Sequence, residues 1–386
     1  VMHTRLTLVV GVLFVFAFAT SVNAAEINFL PTDGTGDFGT SNVPKDAARL
    51  ANGTYRWVGV AVVNGQNVAR IWEVTTGGEK SWYDITIAGP TSSIAAAISP
   101  NGQFVLVDTT GGGTPSTAYR VELTTSGAPS IVNVTESELV LTPGSSDGYD
   151  INNAGVLVGS NNATPFRSAP GGAVLLSAPH NGGIARAISE DSSRIVGDFT
   201  DANGTLQAGF WDALGFHNAS FGAFESELLG ISDDGKLGAG HRDGFATWWD
   251  LDTLSYNSLT TYGWFTGVTN AGLFWGELFT NLGDEYQGVW MNGWDNPKEI
   301  NAWLTSLGYT LPHPILQILA ISDLGAELDI MARGSFMLAQ GVPDPTHDPD
   351  PKPVPEPGSA LLLLLGGLGA LGSEKARLAR KARKRS

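Results

Sequence analysis

Ala187-Ile188-Ser189-Glu190-Asp191-Ser192-Ser193-Arg194-Ile195-Val196-Gly197 is the stretch whose reading decides the fold. An apolar pair runs into a polar segment, and Ile-Val-Gly leaves it. Asp, Asn and Ser side chains bond the backbone just downstream, and glycine accepts positive φ, so such segments make tight turns. Alternating apolar residues after the turn suit a half-buried strand. The same string returns as Ile98-Ser99-Pro100-Asn101-Gly102, Ile151-Asn152-Asn153-Ala154-Gly155 and Ile231-Ser232-Asp233-Asp234-Gly235. It recurs as Val268-Thr269-Asn270-Ala271-Gly272 and Ile321-Ser322-Asp323-Leu324-Gly325, with a weaker first copy at Leu50-Ala51-Asn52-Gly53. Each copy is followed, eleven to nineteen residues beyond its turn, by an aromatic strand such as Ile71-Trp72, Phe210-Trp211 or Trp248-Trp249.

Turn positions 53, 102, 155, 192, 235, 272 and 325 lie about 45 residues apart on average, the length of one four-stranded propeller blade. A solenoid coil would be nearer 20–30 residues. The expectation is therefore an all-β, seven-bladed β-propeller over residues 25–341, with a β-sandwich or a solenoid as the alternatives. The last copy offers only two obvious strands, and a closed ring often borrows a strand from the other terminus to hide its edge. Glu26-Ile27-Asn28-Phe29-Leu30 is the natural donor. The copies resemble the HAF repeats of bacterial extracellular proteins, roughly G-I-N-x-x-G-x-I-V-G and then an aromatic strand. Ala187–Gly197 with Ala208-Gly209-Phe210-Trp211 is the nearest copy, although the family's histidine before the aromatic strand is absent there.

The 386 residues include no cysteine, 49 glycines, and 38 acidic against 22 basic residues. Zero cysteine excludes disulfides, thiolate metal sites and a cysteine nucleophile. The acidic balance argues against a nucleic-acid partner, which needs clustered Lys and Arg.

Both ends read as addresses. His3 and Arg5 precede an apolar run from Leu6 to Ala19, and small residues at 22 and 24 precede Ala25. This is the layout of a signal peptide over residues 1–24, cleaved between Ala24 and Ala25. Residues 342–358 form a Pro/Asp-rich linker with proline at every second or fourth position, which favours an extended spacer. An uncharged transmembrane helix is expected over 359–372, then a basic cytoplasmic tail over 373–386. Pro355-Glu356-Pro357, the Leu/Gly helix and the terminal Arg/Lys cluster resemble the PEP-CTERM sorting signal of Gram-negative bacteria. That resemblance implies an exosortase partner that removes the tail, transient anchoring in the inner membrane, and a final place in the envelope, at the cell surface or in an extracellular biofilm matrix. At about 21 Å the helix is short for a hydrocarbon core of about 30 Å, which suits a temporary anchor.

Candidate chemistry is thin. Gly144-Ser145-Ser146-Asp147-Gly148 matches a G-x-S-x-G elbow, but that motif needs a strand before it and a helix after it, and a repeat turn follows instead. His180, His217, His241 and His313 lack paired metal spacing. Asp33, Asp37, Asp201, Asn203, Asp233 and Asp234 lie in Gly-containing loops of the oxygen-rich kind calcium uses, without a complete motif, so no cofactor is assigned and calcium stays open. Trp57, Trp264, Trp294 and Trp303 fall outside the repeated strand position and are the candidate ligand-binding aromatics. The reading is a non-catalytic protein that binds extracellular polysaccharide or an envelope protein. A polysaccharide hydrolase or lyase in the propeller channel is the alternative, marked by paired carboxylates converging there with a histidine or tyrosine.

Overall fold

The computed structural model describes residues 27–29 and 42–343, apart from short breaks such as 126–130 and 139–145. Strand β1 (Ile27–Phe29) stands apart from the strands that follow it in sequence. Blade 1 comprises β2 (Asn42–Arg49), β3 (Tyr55–Val63), β4 (Gln66–Val74) and β5 (Lys80–Ile85). Blade 2 comprises β6 (Ser92–Ile98), β7 (Phe104–Gly111), β8 (Thr114–Thr125) and β9 (Ile131–Glu138). Blade 3 comprises β10 (Ser146–Ile151), β11 (Leu157–Asn161), β12 (Thr164–Ala169) and β13 (Gly172–Leu175). Blade 4 comprises β14 (Gly183–Ile188), β15 (Ile195–Thr200), β16 (Leu206–Asp212) and β17 (Gly215–Asn218).

Blades 5 and 6 share one seven-stranded sheet. It runs from β18 (Ser226–Ile231), β19 (Leu237–Arg242) and β20 (Phe245–Asp250) through β21 (Ser255–Val268) to β22 (Leu273–Phe279), β23 (Glu285–Met291) and β24 (Lys298–Glu299). The fourteen residues of β21 close blade 5 with their first half and open blade 6 with their second. Blade 6 then ends in α1 (Ile300–Ser306), which the sequence reading did not anticipate. Glu299 caps it by accepting the amides of Asn301 and Ala302, and Ile300, Trp303 and Leu304 bury its apolar side. Blade 7 comprises β25 (Gln317–Asp323), β26 (Glu327–Arg333) and β27 (Met337–Pro343), and β1 completes it antiparallel to β27.

The protein is thus an all-β propeller of seven blades, and the turn residues of the repeats join the first strand of each blade to its second. Gly53, Gly102, Gly155, Gly235 and Gly272 hold φ between 69° and 82°, and Ser192 sits at 60°. In blades 2 to 6 the Ser, Asn or Thr before the turn folds back over it: the amides of Phe104, Arg194 and Leu237 donate to the hydroxyls of Ser99, Ser189 and Ser232, that of Val156 to Asn152 Oδ1, and that of Leu273 to the Thr269 hydroxyl. Adjacent turns also join tip to tip. Asn101 donates its amide to Asn153 Oδ1 at 2.6 Å, Asn153 to Glu190 Oε2 at 3.2 Å, Glu190 to the Asp233 carbonyl at 3.0 Å, and Asp234 to Asn270 Oδ1 at 2.9 Å. Five consecutive turns therefore share one face of the ring.

The cores lie between blades. Trp57, Tyr55 and Trp72 of blade 1 pack on Met331 of blade 7, and Ile71 and Val58 on Val107 and Ile98 of blade 2. Phe166 of blade 3 meets Leu106 of blade 2, Trp211 of blade 4 meets Val158, and Trp249 of blade 5 meets Phe210. Phe274 and Trp290 of blade 6 meet Ala239, and α1 packs between blades 6 and 7. The blade 7 to blade 1 joint carries a polar latch besides: Tyr55 Oη donates to Asp329 at 2.5 Å, and Arg49 Nε lies 2.9 Å from the same carboxylate. Every neighbouring pair of blades has its own core, so the described strands between Ile27 and Val342 close into one unit.

Candidate functional site

All seven inner strands carry a β-bulge at one register, for example between Pro44 and Asp46, Gly148 and Asp150, and Ala185 and Ala187. The bulge brings the inner strand's carbonyl close to the second strand, where a side chain would stand. A Cβ on Gly197 would lie 1.9 Å from the Ile184 carbonyl oxygen, and one on Gly240 1.9 Å from that of Glu227. This explains the glycine that ends Ile195-Val196-Gly197. The bulge also turns its extra residue, such as Lys45, Tyr149 or Arg186, toward the ring axis, and these three line a central cavity of about 730 Å³.

Carboxylates mark the turn-side mouth of that cavity. Asp46 accepts the amides of Ala47 at 2.8 Å and of Ile98, in the next blade, at 2.9 Å. Asp150 repeats the device with Ile151 at 2.7 Å and Ile188 at 2.9 Å. Each is a staple between neighbouring inner strands. Burial pushes Asp46 up to about 7 and Asp150 to about 6, against backbone hydrogen bonds that pull the other way. Glu190 is likewise pushed up to about 7, by burial and then by Asp233 and Asp150 nearby.

A second cluster lies at the wall of the channel between blades 4 and 5. Arg186 Nε donates to Asp198 at 3.0 Å, its Nη2 lies 3.7 Å from Glu227, and its guanidinium sits 5.1 Å from the Tyr149 ring centre. His241 Nε2 is 3.9 Å from Glu227, and its ring stands 6.4 Å from that of Trp264. Asp198 Oδ1 and His241 Nδ1 are buried without a hydrogen-bond partner among the described residues. Burial raises the Asp198 carboxyl despite Arg186, and lowers the His241 imidazole. Such groups can hold a polar ligand atom, or exchange a proton with one.

The four candidate tryptophans fare differently. Trp57 is wholly buried and Trp303 is 6% exposed, so the expectation of a ligand-binding face is corrected for these two: both are core residues. Trp57 is off the repeated position because it stands on a second strand, and Trp303 because it belongs to α1. Trp294 is half-buried under the Lys298 ammonium, 3.9 Å from its ring centre. Trp264 alone joins the channel cluster. Ser146 of the G-x-S-x-G string opens strand β10, not a helix, and its hydroxyl donates to the Ser116 carbonyl at 3.3 Å. His217 stacks on Phe210 and pairs with Asp212 at 2.8 Å. Asp201 accepts the amides of Asn203 and Thr205, the work of a turn former. Among the described residues no group of three His, Asp or Glu side chains is arranged to hold a metal ion. His180, His313, Asp33, Asp37, Ala24, Ala25, Pro355, Glu356, Pro357 and the expected helix over 359–372 lie outside the described residues. Among the described residues no helix is long and apolar enough to cross a membrane.

No protein-family profile matches the chain, and no curated protein does. Among solved structures it is similar to TolB from Acinetobacter baumannii, with 12% identity, a TM-score of 0.39, and 56% of this chain and 54% of that one covered. It is also similar to the β-propeller domain of the Trilobed protease from Pyrococcus furiosus, with 10% identity, a TM-score of 0.46, and 76% and 90% covered. The chain thus spans about half the length of the first of these structures.

Proposed function

We propose that the chain is an exported propeller that binds an extracellular polysaccharide or an envelope protein without turning it over, and that it is sorted through its C-terminal tail by an exosortase. The observation that carries the binding reading is the commitment of the channel carboxylates. Asp46 and Asp150 are held by backbone amides of two blades, and Arg186 is held by Asp198 and Glu227. Groups so held present a rigid polar surface, and rigid surfaces lose little entropy on binding. The test uses residues 25–343 with polysaccharide from the producing strain. Binding is expected with no new reducing ends and no unsaturated uronates. Product that grows with time and with protein concentration would overturn the non-catalytic reading.

One observation favours the alternative, a polysaccharide hydrolase or lyase. Asp198 and Glu227 converge beside the channel with Tyr149 and His241, and Asp198 Oδ1 and His241 Nδ1 have no hydrogen-bond partner among the described residues. In that case Glu227→Gln would abolish product formation while binding persisted.

Sorting has its own test. Replacing Pro355, Glu356 and Pro357 together by alanine is expected to leave an unprocessed form in the membrane fraction, because the recognition site is lost while the apolar stretch remains. Processing and release at the wild-type rate would remove the sorting proposal.

A further inference from the structure

An exposed aromatic patch stands on the rim of blade 5, outside the channel and off the repeated aromatic position. Phe245 and Tyr262 are cross-strand neighbours, and their rings stack with centres 4.4 Å apart and planes 24° apart. Tyr262 is 55% exposed although Phe245 stacks on its ring, so much of the side chain stays open to solvent. Gly244, in the Asp243-Gly244 turn, lies beneath it: a Cβ there would be 3.5 Å from Tyr262 Cδ1. Arg242 pairs across the strands with Phe245 and carries the patch onward. Its guanidinium lies 4.8 Å from the ring centres of both Tyr256 and Phe224, and Phe224 is 50% exposed.

We propose that Tyr262, with Phe245 behind it and Arg242 and Phe224 beside it, is a stacking platform for the pyranose rings of a neutral polysaccharide. The inference rests on the polysaccharide-binding reading and gives it a ligand class and a second contact surface. Three features select that occupant. A ring already stacked on one face is fixed in orientation, so a flat apolar face of similar size docks on it with little loss of side-chain freedom. The rim is polar, with the exposed carboxylates of Asp243 and Glu225 and the Arg242 guanidinium, which suits hydroxyl groups and not a wholly apolar partner. The surroundings are acidic: without the expected leader and tail, the body holds 14 basic and 37 acidic residues. An anionic chain such as a polyuronate is repelled at long range by that field.

The experiment titrates residues 25–343 with laminarihexaose, cellohexaose, mannohexaose and hexagalacturonate by calorimetry. At least one neutral hexasaccharide is expected to bind, and hexagalacturonate at least ten-fold more weakly. Tyr262→Ala is expected to weaken neutral binding ten-fold or more, about the effect of losing one stacked ring, and Tyr262→Phe to stay within three-fold of wild type. Circular dichroism and melting temperature report whether the variants fold. The platform is overturned if no neutral hexasaccharide binds, if Tyr262→Ala binds like wild type, or if hexagalacturonate binds as well as the neutral chains. Wild-type binding of the strain's own polysaccharide by folded Tyr262→Ala would sink the platform and leave the binding reading standing. Loss of strain-polysaccharide binding by the wild-type ring would remove that reading itself.

Discussion

Gly240→Val is expected to lower the stability of the ring by about 3 kcal/mol, the upper part of the usual range for forcing extra atoms into a packed interior. The contact is with backbone: a Cβ would lie 1.9 Å from the Glu227 carbonyl oxygen and 3.2 Å from the Leu228 Cα. No rotamer relieves that clash, so the inner strand must withdraw and its bulge must reshape. The cost differs between blades. Val107 and Ala332 hold the same register in blades 2 and 7, where the inner strand accommodates a side chain. Gly59, Gly159, Gly197, Gly240 and Gly276 occupy it in the other five, and a Cβ added to any of them would lie within 2.1 Å of an inner-strand carbonyl oxygen. Thermal or urea unfolding of residues 25–343 measures the change, with Gly77→Ala as the reference, because a Cβ on that exposed loop glycine would meet only Thr75 Oγ1 at an ordinary 3.6 Å. Equal stability of Gly240→Val and wild type would mean that the bulge does not constrain this position.

The ring is also expected to melt at a higher temperature near pH 5 than near pH 8. Burial holds Asp46, Asp108 and Glu190 up to about 7 and Asp150 up to about 6. A carboxyl raised on folding contributes stability that is fully present below the unfolded range near pH 4, and that stability is lost as the pH climbs through the folded value. The loss therefore falls between about pH 4 and pH 7. With solvent screening taken into account each group is worth about 1–2 kcal/mol, well under the full value of its shift. Burial raises Asp191, Asp212 and Asp234, but the several hydrogen bonds each accepts together outweigh it and hold them low, so they act oppositely and set the acid limit below about pH 4. Glu190→Gln keeps an oxygen to accept the Asn153 amide. It is expected to raise the melting temperature at pH 8, leave it unchanged at pH 4.5 and flatten the curve between. A wild-type melting temperature that rises from pH 5 to pH 8 would contradict the assignment.

Seven blades were legible because each repeats its own turn chemistry, and Ile27–Phe29 was legible because the last copy was short of strands. The glycine after Ile195-Val196 was visible as a pattern, but its cause lies in a bulge on a strand that precedes it in sequence. The channel cluster was hidden for another reason. Asp198 and His241 hold equivalent positions in successive repeats, where Asp108, Ser160 and Glu277 also stand, yet each looks isolated in the linear chain. Aligning the repeats and reading that column for polar residues would have exposed it. Tyr262 was missed because it belongs neither to a repeated turn nor to a repeated aromatic strand, but to the long strand β21 that joins blade 5 to blade 6.

Ile27 pairs with Ala339, 312 positions away, whereas the other strand pairs are local to a blade or a neighbouring pair of blades. Closing a loop of that length costs about 2 kcal/mol more chain entropy than closing one of 45 residues. Blades can form in the order in which the chain appears, but the earliest strand finds its partner only when the latest one exists. Until then the structure is an open arc with a bare edge at each end, and bare edges invite proteases and other chains. Sealing the ring is thus a test of completeness: a chain cut short before Met337 has no strand for Ile27–Phe29 to join, and it stays marked as unfinished.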